Sequence, residues 1–168
     1  AARYEVYYST DGVGWNYVDT VNDPAITTYS WTVPVIYTES SLSKVRIAAY
    51  NGGGALLNFD DSNTSFTIKA PTNVIYPNGG ETFSENDVFD IIWNQPSDAS
   101  RYELYYTTDN STWIYIDSVN DPAITTYNWT VPTLSGDSGT CKVRVASYDS
   151  LDNLLNFDDS DNFFTLLK

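Results

Sequence analysis

The sequence contains no histidine, no methionine and one cysteine, Cys141. Without an imidazole there is no ordinary general base near neutral pH and nothing to activate a serine or cysteine nucleophile. A lone cysteine excludes an internal disulfide, and Ser43 stands at the matching position of the internal repeat described below. Cys141 therefore reads as a small, partly buried side chain. Positive charge is also scarce. Eight Lys and Arg face 22 Asp and Glu, for a formal net charge of -14. Such a surface repels the phosphates of nucleic acid and the headgroups of anionic membranes. It suits a solvated surface outside the cell and can collect cations. No stretch is apolar for long enough to cross a bilayer as a helix. No signal peptide is recognisable, and a strand pattern begins directly after Ala1-Ala2. That start is expected of a processed terminus or of a cut through a longer protein.

Aromatic residues are abundant: five Trp, fourteen Tyr and seven Phe. They suit pleated, half-buried surfaces. The dominant feature is an internal repeat. Residues 21–34 return as residues 119–132 with one change, Ser30 to Asn128. The alignment extends without a gap from Arg3/Arg101 to Ile68/Leu166 at a constant offset of 98, and about 38 of the 66 pairs are identical. A fixed long period means one module used twice.

Within each copy the pattern has period two, which marks strands. Tyr4, Val6 and Tyr8 share one face, and Arg3, Glu5 and Tyr7 the other. Asp11-Gly12 turns the chain, and Trp15, Tyr17 and Asp19 lie on one face of the return strand. Asn22-Asp23-Pro24 closes it, because proline lacks a ladder donor and Asx side chains form turns. Tyr29, Trp31 and Val33 predict a further strand ending at Pro34, and residues 35–43 a loop. Residues 44–50 form the clearest strand, with Val45, Ile47 and Ala49 inward. The last strand spans residues 65–69. The same series recurs in the second copy. There it is preceded by material the first copy lacks: a strand at Val74 and Tyr76, a compact turn at residues 77–81, and a strand carrying Phe89, Ile91 and Trp93.

About seven strands in just under a hundred residues, with regular turn signals and no helical period, predict an all-β fold of tandem immunoglobulin-like β-sandwiches. The first lacks its two N-terminal strands. The expected organisation is an incomplete repeat over 1–69, a linker over 70–73 and a complete repeat over 74–168. Trp93, Trp129, Val143, Val145 and Phe164 are the expected core. The incomplete repeat would expose aromatic side chains and an unpaired sheet edge. The missing strands lie upstream in a longer array, or another chain supplies a strand by complementation.

Tyr76-Pro-Asn-Gly-Gly-Glu-Thr-Phe83 with Ile91-Ile-Trp93 resembles the Ig-like or fibronectin-III-like repeats of secreted bacterial and archaeal surface proteins. A more distant resemblance is to the yeast cell-wall-assembly and Ser/Thr-rich GPI-anchored family. Residues 8–12 with Trp15, residues 29–34, 44–47 and 66–68 carry the rest of that pattern, with Phe83 where the family usually has Trp. The resemblance implies a secreted or cell-surface setting and a spacer or adhesive role, without catalytic residues. Residues 9–15 and 107–113 also resemble the Asp-box hairpin, one residue short in each copy, and that motif is itself structural.

Several candidate sites follow. Asp60, Asp61, Asp158, Asp159 and Asp161 are candidate calcium ligands, since calcium takes six to eight oxygens. The alternative is solvated turn residues with Asx capping. Asp19, Asn22 and Asp23, with Asp117, Asn120 and Asp121, form a second repeated polar cluster. Three sequons place possible glycans on Asn63, Asn110 and Asn128. Tyr7, Tyr50, Tyr105 and Tyr148 point away from the expected core and form a candidate binding surface, for glycans or for protein, or else a set of cross-strand pairs. Paired carboxylates can serve a glycosidase. Here they are adjacent in sequence and duplicated in an incomplete copy, which disfavours an enzyme.

Taken together, the residues predict a non-catalytic structural or adhesive module of an extracellular or cell-surface protein, in a filament, sheath or surface layer. The alternative is a carbohydrate-binding accessory module of an extracellular enzyme. Expected partners are neighbouring Ig-like modules or copies of the chain, with no nucleic acid and no membrane insertion. No cofactor is expected apart from the candidate calcium.

Overall fold

The period-two alternation becomes fourteen strands in a computed structural model that describes residues 1–168, with no helix anywhere. The strands fall into two units, Ala1–Ala70 and Pro71–Lys168. No helix is long and apolar enough to cross a membrane.

The first unit is one antiparallel sheet. Its strands are β1 (Arg3–Ser9), β2 (Asn16–Val21), β3 (Ser40–Tyr50), β4 (Leu56–Asp61) and β5 (Phe66–Ile68), in the order β2-β1-β3-β4 with β5 also on β3. β3 is long enough to pair twice. Its start meets β5 through Ser40↔Ile68 and Ser43↔Phe66, and its end meets β4 from Arg46↔Asp61 to Tyr50↔Leu56. The strand therefore begins inside the stretch expected to be a loop, held there by β5.

The second unit repeats that sheet and adds a second one. Its strands are β6 (Val74–Tyr76), β7 (Thr82–Ser84), β8 (Val88–Trp93), β9 (Arg101–Thr107), β10 (Ile114–Val119), β11 (Thr126–Thr130), β12 (Ser138–Tyr148), β13 (Leu154–Asp159) and β14 (Phe164–Leu167). One sheet runs β10-β9-β12-β14-β7 with β13 on β12, and the other runs β11-β8-β6. Only β7 pairs in parallel, with β14. It is too short to show alternation in the sequence. The two sheets enclose the expected core: Trp93, Val143, Val145 and Phe164 are fully buried, and Trp129 nearly so. Aromatic contacts stitch the two layers: Trp93 meets Tyr102 edge-on at 5.1 Å, and Trp129 meets Tyr106 at 5.0 Å. This unit is an immunoglobulin-like β-sandwich.

The turn after Tyr76 shows why this sandwich closes. Both oxygens of Glu81 accept from backbone, Asn78 at 3.0 Å and Gly79 at 2.8 Å. Asn78 reaches across to Asp161, accepting its N–H at 2.6 Å and donating to its carboxylate at 2.8 Å. Ser160 donates to the Pro77 carbonyl at 2.7 Å. Gly79 has φ of +122°, and a Cβ there would fall 2.3 Å from Asn162 Cβ. Only glycine fits.

One predicted strand does not form. Residues 28–32 carry the alternation of β11 and differ from residues 126–130 only at Ser30, yet they are irregular. In the second unit β11 hydrogen bonds to β8 from Thr126↔Ile92 to Thr130↔Val88. The first unit holds no counterpart of β8. A strand exists only where a partner takes its backbone groups, so the pattern alone does not produce one. What survives in the first unit is the packing of Trp31 on Tyr8, at 5.2 Å between ring centroids.

Candidate functional site

The outward face of each large sheet carries the same assembly. In the second unit, Arg144 on β12 lies beside Asp159 on β13, because Arg144 and Asp159 are register partners. The Arg144 guanidinium donates to both carboxylate oxygens, at 2.6 and 2.9 Å. It lies 4.1 Å from the Trp113 ring and 4.1 Å from the Phe157 ring, sandwiched between them. The first unit repeats this with Arg46, Asp61, Trp15 and Phe59: donor distances are 2.6 and 2.8 Å, ring distances 4.0 and 4.1 Å. A planar guanidinium can make a forked ion pair in its plane while stacking on both sides. The Asp61 carboxyl is held below its usual range by Arg46, and Arg46 is raised by the same contact.

The four tyrosines named from the sequence lie on the same face, Tyr50 and Tyr148 on the strands of Arg46 and Arg144, and Tyr7 and Tyr105 opposite those arginines on the neighbouring β1 and β9. Tyr105 and Tyr148 both donate to Glu103, at 2.6 and 2.8 Å, and Arg101 donates to it at 2.7 Å. Arg101 also lies 4.0 Å from the Tyr148 ring. In the first unit Tyr7 donates to Glu5 at 2.5 Å, Arg3 to the same carboxylate at 3.0 Å, and Arg3 lies 4.6 Å from the Tyr50 ring. The Tyr105 hydroxyl hydrogen bond holds Glu103 below the ordinary glutamate range, and Tyr7 does the same to Glu5. Tyr7 and Tyr105 are pushed well up by those carboxylates. All four rings are half-buried. The placement on the outer face follows the sequence, but the tyrosines are cross-strand partners in a charged ladder.

The acidic clusters are dispersed. Asp60 and Asp61 lie in β4, and Asp158 and Asp159 in β13, where the sequence reading had placed them in a loop. Adjacent strand residues point to opposite faces. Asp159 faces outward to Arg144, whereas Asp158 faces inward and accepts the Val74 N–H at 2.8 Å. Burial pushes the Asp158 carboxyl up. Asp161 turns to Asn78, and Asp60 is exposed. No three acidic or sulfur side chains converge as a metal-binding group. In the second repeated cluster, Asp19 and Asp117 accept the hydroxyls of Tyr29 and Tyr127, at 2.8 and 3.0 Å. Asp23 and Asp121 accept the N–H two residues on, each at 2.9 Å, forming the same Asx turn in both copies.

The hairpins after β1 and β9 are also built by carboxylates. Asp109 accepts Ser111 N–H at 2.8 Å and Thr112 N–H at 2.7 Å, and those bonds hold it far below its usual range. Asp11 does the same for Val13 and Gly14. The sequon asparagines Asn63, Asn110 and Asn128 are all exposed. Asn128 donates its side-chain amide to Asp90 at 3.0 Å. Cys141 is fully buried, and burial raises its thiol.

The sequence reading missed the arginine sandwiches. Their signal was present: Trp15, Arg46, Phe59 and Asp61 are all retained as Trp113, Arg144, Phe157 and Asp159, three of the four in strand positions facing away from the core. What was not legible is that a turn and two strands bring them together.

Comparison with protein families found no match, and comparison with curated proteins found none. Among solved structures, the chain is similar to the fibronectin(III)-like modules of Clostridium thermocellum CbhA. Identity is 15%, coverage 97% of this chain and 76% of that one, and TM-score 0.39. The FN1–FN3 domains of chicken CNTN1 are similar at 16% identity, over 99% of this chain and 58% of that one, with TM-score 0.48. A tetra-tandem repeat from the extending region of a large adhesion protein is similar at 14% identity, over 98% and 41%, with TM-score 0.33. The immunoglobulin-like assignment of the second unit rests on its own strand pairing and core.

Proposed function

We propose that the chain is a non-catalytic structural or adhesive tandem of Ig-like modules from an extracellular or cell-surface protein, serving in a filament, sheath or surface layer. The observation that carries this reading is the duplicated outer face. In both units, arginine, carboxylate and aromatic side chains are mutually paired at the same positions. Groups of the kinds that bind or catalyse elsewhere are committed here to holding the sheet. Paired charges of this kind keep an acidic surface ordered and soluble. The one thiol is buried and raised, the opposite of an activated nucleophile.

The test is direct. The purified chain is applied to a glycan array and incubated with soluble polysaccharides. The expected result is no retention and no released reducing sugar. Retention that disappears in Trp15→Ala and Trp113→Ala would favour the carbohydrate-binding accessory module instead. Turnover of any saccharide would favour an enzyme.

A further inference from the structure

We propose that the inner face of the first unit is an acceptor for an extended polypeptide segment outside residues 1–168, with the side-chain pattern of residues 72–93, which enters as a strand beside residues 28–32. The proposal deepens the structural reading above and rests on it. Three independent features of the face define the occupant.

The first is a hollow of about 190 Å³ lined by Tyr4, Val6, Val21, Thr27, Tyr29 and Ile47, among others. In the second unit counterparts of these residues share the core with Trp93, and two of them contact it. Trp93 packs edge-on against Tyr102, the counterpart of Tyr4, and its backbone N–H donates to the carbonyl of Thr125, the counterpart of Thr27, at 3.1 Å. The hollow is thus the seat of an indole at the end of a strand.

The second feature is exposure. Ile47 is 42% exposed and Val33 48%, while their counterparts Val145 and Val131 are 0% and 1%. The difference is made by the β11-β8-β6 sheet, which covers the second unit only. Large apolar side chains left exposed where the matching module buries them mark an interaction surface.

The third feature is polar and sets the register. On β13 the inward residues Asn156 and Asp158, and just beyond its end Ser160, grip the segment one after another. Asn156 accepts the Thr72 N–H at 3.1 Å, Asp158 accepts Val74 N–H at 2.8 Å, and Ser160 donates to the Pro77 carbonyl at 2.7 Å. Asn58, Asp60 and Ser62 stand at the same positions in the first unit. Asn58 and Asp60 are exposed there. One contact is not reproduced, since Ser147, which receives the Thr72 hydroxyl, is matched by Ala49. A second copy of the chain is a poor donor. Its own Val74, Ile91 and Trp93 are at most 1% exposed in its own sandwich and would have to be withdrawn from it.

A synthetic peptide with the sequence of residues 71–95, added to the whole chain, tests this by amide hydrogen exchange. Exchange at residues 28–32 is expected to slow by about tenfold or more as the strand pairs, while residues 126–130 stay as they were. A peptide carrying Trp93→Ala is expected to lose the effect, and Asp60→Ala in the chain to weaken it about tenfold. Unchanged exchange at residues 28–32 under saturating peptide overturns the proposal. So does protection that grows with protein concentration without peptide, which would make a second copy the occupant. A chain with a copy of residues 71–100 placed ahead of Arg3 removes any dependence on peptide solubility. It should show the same protection, and its absence there also overturns the proposal. Saccharide binding in the preceding test does not move these exchange rates, so the two readings fail separately.

Discussion

Arg144 and Asp159 form a forked ion pair, with donor distances of 2.6 and 2.9 Å, across the β12–β13 ladder. The pair is partly shielded from water, with side-chain exposures of 25% and 28%. Two rings cover the guanidinium, which lowers the local dielectric and strengthens the pair beyond an open surface bridge. The neighbouring Asp158 points the other way, so no second carboxylate competes for the arginine.

Arg144→Ala should therefore destabilise the second unit by about 1–3 kcal/mol, the sum of a charged hydrogen-bonded pair and two ring contacts. Arg144→Lys should recover only part of this, because an ammonium cannot fork and stack at once. Denaturant unfolding of the two variants measures the order. Equal stability of Lys and wild type would show that the sandwich contributes nothing beyond charge.

Trp129 and Trp31 should respond unequally to truncation. Trp129→Ala opens a cavity between two sheets and should cost about 3–5 kcal/mol. Trp31, half-buried with its ring against Tyr8 and no second sheet over it, should cost about 1 kcal/mol or less on the same change. Thermal melts of both variants decide it. Comparable losses would mean that the first unit is covered in solution as the second is.

Gly79→Ala should cost about 2–4 kcal/mol, from a positive φ and from a Cβ driven into Asn162. Gly80 also has positive φ, 90°, but a Cβ there meets nothing within 4 Å. Gly80→Ala should cost only about 1 kcal/mol. Chemical denaturation of the pair separates strain from collision.

Acid should destabilise the protein. Glu5, Asp11, Asp19, Asp61, Glu103, Asp109 and Asp149 are all lowered by hydrogen bonds to hydroxyls, amides or guanidinium groups. A carboxyl depressed in the folded state contributes stability above its unfolded pKa and loses it as pH falls through the folded one. Asp158 is raised by burial and acts in reverse, its contribution fading as pH rises. Seven groups outweigh one, so the melting temperature should fall as pH drops below the ordinary values of 3.8 to 4.5. Calorimetry at pH 6, 4 and about 2.5, in about 0.15 M salt to screen general repulsion, checks the sign. A melting temperature that rises into acid would mean that relief of the -14 net charge dominates.

Millimolar calcium should leave the melt unchanged beyond the effect of equal magnesium. The neighbouring carboxylates of β4 and β13 face opposite sides of the sheet and supply no common shell. A calcium-selective rise in melting temperature would require a site formed by rearrangement.

Much of the fold was legible because its cause is local. Alternation along β1, the Asx and glycine turns, and the inward set Trp93, Trp129, Val143 and Val145 are consequences of strand geometry and of which side chains water excludes. The outward placement of Tyr7, Tyr50, Tyr105 and Tyr148 follows from the same parity. Their pairing to Glu5, Glu103, Arg3 and Arg101 does not, because those partners sit two residues away or on the next strand, and only register brings their tips together. The short β7 carried no signal, since three residues contain too little alternation to read.

The sequence by itself determined that this protein is β throughout, that one module occurs twice, and which side chains of the complete module form its core. Tertiary structure alone decided what the repeated residues 21–34 and 119–132 become. Given β8, residues 126–130 exchange backbone hydrogen bonds with it and form a strand with Trp129 buried beneath. Without such a partner, residues 28–32 stay irregular and Val33 lies open. A side-chain pattern selects the face a strand would bury, but the ladder itself needs donors and acceptors from elsewhere in the chain.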